Sequence, residues 1–200
     1  MAPPVKSRST YRQEQAAATR LRIAEAAREM FAANGYGGTS IDAIAGEAGV
    51  AVRTVYSAFG TKREILSFVC EQWLERAKAR ERAAEVLAEP DPVARLRAAA
   101  GWLRGLYEAG FDVVLIFDGA MDSDPETREL LRAKLAGRNQ VMDALIASLT
   151  GRLRLPLADA QATFRAFAAA GVYQELVTDH GWSPDRFESW LADTLQAQLL

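Results

Sequence analysis

The stretch SIDAIAGEAGVAVRTVYSAFGTKREIL, Ser40 to Leu66, places two short amphipathic patterns side by side, with Ala48, Gly49 and Val50 between them. Two helices joined this closely must cross in contact, so the first needs a small residue where the second passes over it, and Ala45 stands there. Four residues later the chain must turn sharply, which suits the left-handed backbone that Gly49 tolerates. Val55 then returns toward the first helix, with Ile44, Ala48 and Val50 filling the same small core. A hinge of this kind holds its second helix out, and the polar residues it carries are Arg53, Thr54, Tyr56 and Ser57.

The rest of the chain also reads as helix, rich in Ala, Leu, Arg and Glu and without sustained β-branched alternation, so the expected fold class is all-α. Ile23, Ala27, Met30 and Phe31 recur at helical spacing in a first helix from about Arg12 to Asn34, and Gly35 supplies its stop. Thr39 followed by Asp42, and Thr61 followed by Glu64, resemble capping boxes, so helices should start near Ser40 and Lys62. The second of these is expected to run through Trp73 into the late eighties. AEPDP then breaks the chain, with Asp91 as a cap and Pro92 in the first helical position. A helix to about Ala109 leads into FDVVLIFDGAM, apolar nearly all round and expected at the centre of the larger core. Ser123, Asp124 and Pro125 open a helix to about Leu149, another covers about Leu157 to Asp179, and Ser183-Pro184 starts the last.

Charge sharpens the picture once it is divided. The whole chain of 200 residues carries a net −2, which argues against a protein that coats nucleic acid by bulk charge. Residues 1–64, however, hold nine Lys and Arg against six Asp and Glu, so the basic excess coincides with the hinge. One cysteine, Cys70, and one histidine, His180, allow neither a disulfide framework nor a metal-ligand cluster, and neither a catalytic group nor a cofactor is expected. Cys70 shares an apolar face with Leu66 and Trp73 and reads as a buried thiol. The N-terminal MAPPVKSRSTYRQ has no apolar core of a signal sequence, and VVLIF at 113–117 is too short to span a bilayer, so a cytoplasmic protein without a membrane anchor is expected.

Thr39, the hinge segment and the upstream RIAEAAREMFAANGYGGTS together resemble the DNA-binding domain of the TetR family of one-component transcriptional regulators. The resemblance implies a three-helix helix–turn–helix DNA-binding domain over residues 1–64 with a basic arm (Lys6, Arg8, Arg12), and a larger helical-bundle domain for ligand binding and dimerisation over 65–200. It implies a recognition helix from Ala51 to Phe59 entering the major groove, with Arg53, Thr54 and Ser57 reading bases. Tyr56, Lys62 and Thr39 match family positions that hold phosphates and so position the protein without specifying sequence. The chain departs from the family pattern at Ala51, where a capping Ser or Thr is frequent, and at Arg53, frequently Gly.

The implied partners are double-stranded operator DNA, a small apolar or amphipathic effector and a second copy of the chain. Apolar pockets with few polar anchors suit such effectors, and the candidate lining is Trp102, Arg104, Tyr107, Phe111, Phe117, Asp118, Phe164, Phe167 and Tyr173. Apolar stripes run along two late helices, Leu131 to Leu149 and Phe164 to Leu176; one face of each can fill the subunit core, any surplus would seek a partner, and the resemblance implies that these helices pair across a two-fold axis. The implied function is a repressor that leaves a palindromic operator when the effector binds. The alternative is a constitutive or architectural DNA-binding protein with a solid second domain. An enzyme is disfavoured, because no nucleophile with a base is indicated.

Overall fold

The computed structural model describes residues 8–200, and helix is its only regular structure among the described residues. Among the described residues ten α-helices follow one another: α1 (Arg8–Gly38), α2 (Ile41–Glu47), α3 (Val52–Phe59), α4 (Lys62–Arg76), α5 (Ala79–Ala88), α6 (Pro92–Ala120), α7 (Pro125–Ala147), α8 (Leu157–Phe167), α9 (Ala170–Tyr173) and α10 (Pro184–Leu199). A 3₁₀ turn, Thr150–Arg152, precedes α8, and a π-helical turn, Gln174–Asp179, continues α9. The all-α expectation holds. Within α1 the helical path is interrupted at Gly35 (φ 73°), where the sequence placed its stop.

Packing divides the chain into two compact units. One runs to Gln72 and takes in Ile116–Arg128; the other comprises Trp73–Leu115 and Glu129–Leu200. The expected division at residue 64 falls within α4, whose first part packs with the first unit. The first unit is built on Ile23, Ala27 and Phe31 of α1, Ile44 and Ala45 of α2, Val55 and Phe59 of α3, and Ile65 and Leu66 of α4, all buried. In the second, Leu103 and Leu106 of α6, Met142 and Leu145 of α7, Phe164 of α8 and Phe187 and Leu191 of α10 form the core.

Three expectations are corrected by contacts distant in sequence. The helix expected from Lys62 into the late eighties breaks at Lys78, which takes a left-handed conformation (φ 50°) that a non-glycine residue adopts at a cost of about 1–2 kcal/mol. That break shifts the helical phase so that Ala77 and Ala79 are both buried while Lys78 is exposed. The indole of Trp102 donates to the carbonyl of Ala79 at 2.9 Å, just beyond it. The helix expected over 157–179 breaks at Ala168. Its carbonyl accepts from the Tyr107 hydroxyl and from Arg138, each at 2.7 Å, and Val172 N–H, its partner in a regular helix, bonds to Ala169 instead.

The apolar run after Ala109 is the third correction. It is continuous with α6 across an interruption at Gly110, and Leu115 within it is 42% exposed. From Ile116 onward it belongs to the first unit, so it does not form the centre of the larger core. A Cβ at Gly110 would lie 2.7 Å from Trp73 Cδ1, so the indole fits only against glycine. That indole donates at 2.8 Å to Leu106, whose carbonyl would accept from Gly110 in a regular helix. No helix among the described residues is long and apolar enough to cross a membrane.

Candidate nucleic-acid interface

The hinge between α2 and α3 is as tight as the spacing requires. Ala48 and Gly49 close the last turn of α2 with bonds to Ile44 and Gly46, Gly49 takes φ 62°, and Val50 N–H reaches back to Ala45 at 3.0 Å. Only a residue without Cβ adopts that backbone freely, and the turn packs α3 against α2, with Val55 of α3 (1% exposed) and Ile44 and Ala45 of α2 all buried. With Val55 and Phe59 buried, the opposite side of α3 carries Arg53, Tyr56 and Ser57 exposed, and Thr54 half-buried. Tyr56 is 53% exposed, an unusual position for a large aromatic side chain with no core to fill. The far end of α3 is fixed by Arg20, which donates to the carbonyl of Ala58 and lies over the rings of Phe59 and Phe68, 4.2 and 4.9 Å from their centroids.

The cap at the start of α2 is Ser40, which accepts from Ala43 N–H, and this corrects the capping box expected at Thr39. Thr39 is buried, and its hydroxyl faces the carbonyls of Met30 at 3.2 Å and Gly35 at 2.9 Å, satisfying the end of α1. Thr61 caps α4 as expected, accepting from Glu64 N–H. Ala51 starts α3 in extended conformation without a side-chain cap.

Lys62 is held from below. Its ammonium donates to the carbonyls of Tyr36 at 2.7 Å and Thr39 at 2.9 Å and sits 4.3 Å from the centroid of the Tyr36 ring. Burial lowers its pKa from the ordinary lysine value, opposed by the nearby Asp124 carboxylate. Burial also raises the pKa of the Tyr36 phenol. Beside them, Asp124 accepts from the Thr127 N–H at 2.8 Å and the Thr127 hydroxyl at 2.7 Å, and these bonds hold its carboxyl below the usual range. Arg63 pairs with Glu126. Tyr36, Thr61, Lys62, Arg63 and the Asp124–Thr127 turn thus line an open cleft of about 510 Å³. In the sequence Asp124 reads as a helix start. Asp-Pro-x-Thr signals the cap, but nothing local signals that α7 begins in the first unit.

Of the basic arm, Lys6 lies outside the described residues, and Arg12 is exposed on α1. The candidate effector residues separate. Phe117 and Asp118 belong to the first unit, and Asp118 is exposed. The second unit brings Tyr107, Phe111 and Tyr173 together, with centroids 4.7–5.5 Å apart, and adds Phe187, which sequence reasoning missed, 4.9 Å from Tyr173. Arg104 pairs with Glu108 and Asp185 at 2.8 Å and with Glu188 at 3.6 Å. Phe164 is fully buried, Trp102 is spent on Ala79, and Phe167 lies against Trp190. Cys70 is buried.

Residues 23–68 match the model of the bacterial regulatory proteins of the tetR family. Solved structures of similar fold include the transcriptional regulator FadR from Bacillus subtilis in complex with stearoyl-CoA, at TM-score 0.71 and 19% identity over 88% of this chain and 96% of that one. A transcriptional regulator from Aquifex aeolicus gives 0.70 and 21%, covering 90% and 98%. NalD of Pseudomonas aeruginosa, the secondary repressor of the MexAB-OprM multidrug efflux pump, gives 0.68 and 22%, covering 92% and 98%. No curated protein matches the chain.

Proposed function

We propose that this chain, whose residues 23–68 match the model of the bacterial regulatory proteins of the tetR family, is a ligand-responsive repressor of that family that binds a palindromic operator as a homodimer. The observation that carries this reading is α3, which buries Val55 and Phe59 and leaves Arg53, Tyr56 and Ser57 exposed on one side. Set into the major groove, this helix reads base edges with Arg53, Thr54 and Ser57. Tyr56 and Lys62 take phosphates, and Thr39 contributes through the α1–α2 turn it holds. Two copies related by a two-fold axis set their α3 helices about 34 Å apart, one turn of the duplex. Residues 1–64 carry the DNA function and 65–200 the effector and dimer functions.

The effector is a small apolar or amphipathic molecule received by the second domain, where Tyr107, Phe111 and Tyr173 supply ring faces and Arg104 a polar anchor. FadR of Bacillus subtilis, similar in fold, holds stearoyl-CoA. To move the operator from nearly full to nearly empty, the effector must favour the released state by about 5 kcal/mol. A constitutive DNA-binding protein is the second reading, and the close ring packing around Tyr107 favours it. A thermal-shift screen across an effector panel separates the two.

The test is selection of bound fragments from a random DNA pool at two salt concentrations. A palindromic consensus is expected, with Lys62→Ala weakening all sites and Arg53→Ala relaxing particular base positions by about 1–3 kcal/mol. Enrichment of nothing above background overturns the regulator reading.

A further inference from the structure

Lys62 Nζ carries three N–H donors, and two are committed to the carbonyls of Tyr36 and Thr39. One remains for a phosphate. Where that N–H sits depends on what fixes Tyr36, because the same residue supplies both a carbonyl and a ring face to the ammonium.

Donor counting gives the direction of the bonds behind Tyr36. The single Thr127 hydroxyl hydrogen goes to Asp124 Oδ2 at 2.7 Å, so in the 3.3 Å pair between Tyr36 and Thr127 the phenol must donate. The chain therefore runs from Tyr36 O–H to Thr127 Oγ1 and from Thr127 O–H to Asp124. Thr127 is fully buried, and its N–H also bonds Asp124, so this chain has a fixed base in the first turn of α7. Phe31 packs on the Tyr36 ring at 5.2 Å between centroids.

On the regulator reading above, we infer that Tyr36 and Thr127 are positioning residues for the Lys62 phosphate contact, so that the DNA-binding module is completed by the start of α7. Neither side chain meets DNA in this scheme. Both act through the ammonium.

The test uses the full chain, a selected operator and Tyr36→Phe, Thr127→Val and Thr127→Ser, each also in the Lys62→Ala background. Lys62→Ala removes one phosphate contact, which lowers the slope of log affinity against log salt by about 0.9. Tyr36→Phe and Thr127→Val are expected to weaken every site alike, by about threefold to tenfold, with a smaller drop in that slope. Thr127→Ser, which keeps the hydroxyl, restores wild-type binding. In the Lys62→Ala background Tyr36→Phe then has no further effect, since contacts that act through one group are not additive. Unchanged binding by both variants, or an undiminished effect without Lys62, overturns the inference. Should Thr127→Val fail to fold, Tyr36→Phe carries the test, since it removes one oxygen and keeps the ring. A wild-type protein that selects no site overturns the regulator reading itself, whereas a wild type that binds beside variants that bind equally well overturns only the positioning role.

Discussion

Helix α3 takes its outward face from the spacing of its own eight residues, with Arg20 of α1 fixing only its far end, whereas α6 is interrupted where a tryptophan of another helix meets it. In α3 the spacing of Val55 and Phe59 decides which side is buried, and Arg53, Tyr56 and Ser57 are left outside by elimination. In α6 the interruption at Gly110 lies against Trp73, which occupies the space of the missing side chain and takes the carbonyl of Leu106, 33 residues from it in sequence. A short helix whose outward side is set by two buried residues takes that side from local spacing. A long helix that must fit other helices is specified by its neighbours.

The contrast predicts where substitutions will hurt. Trp73→Ala should have the largest effect, because it empties the space beside Gly110 and leaves the Leu106 carbonyl without its indole donor. Truncating a buried tryptophan costs about 3–5 kcal/mol, read as a shift of the denaturation midpoint. Arg53→Ala, on the exposed side of α3, should move the same midpoint by less than about 0.5 kcal/mol. Comparable losses from the two would break the distinction between a local and a dependent helix.

Gly110→Ala comes next. Its Cβ would stand 2.7 Å from Trp73 Cδ1, so either the indole or α6 must shift, at a cost of about 1–3 kcal/mol. If the indole alone is responsible, the cost of Gly110→Ala falls sharply in the Trp73→Ala background, a coupling that a double-mutant cycle in urea measures directly. An undiminished cost would mean that α6 itself demands glycine at this place.

The same distinction accounts for what the sequence made legible. Ala45, Gly49 and Val55 declare the hinge because a tight crossing, a left-handed turn and a returning side chain fall at fixed short offsets. The breaks at Lys78 and Ala168 carry no such mark. Lys78 is a poor signal for a left-handed residue, and the Ala168 carbonyl is claimed by Tyr107 and Arg138 from other helices. Lys62 and Thr39 could be named from the motif, but their partners could not. That the ammonium rests on Tyr36 comes from α4 meeting the end of α1, and that Tyr36 rests on Thr127 comes from the packing of Ile116–Arg128 in the first unit. Periodicity gives each helix a face without saying which distant residue will meet it.

The smallest effect sharpens the local side of the comparison. Ala51 occupies the N-cap of α3 with φ −69° and ψ 145°, the extended conformation a capping serine adopts, yet it offers no side-chain acceptor. Thr54 N–H already bonds the Ala51 carbonyl at 2.8 Å, so a serine hydroxyl would serve an N–H of the first turn without rebuilding it. Ala51→Ser should therefore raise stability by about 0.5–1 kcal/mol, read as a higher midpoint in urea at unchanged slope. Because Ala51 shares no partner with Trp73 or Gly110, its gain should add to their losses. Failure to add would show that the start of α3 feels the state of α6, and α3 would then be less self-sufficient than its eight residues suggest.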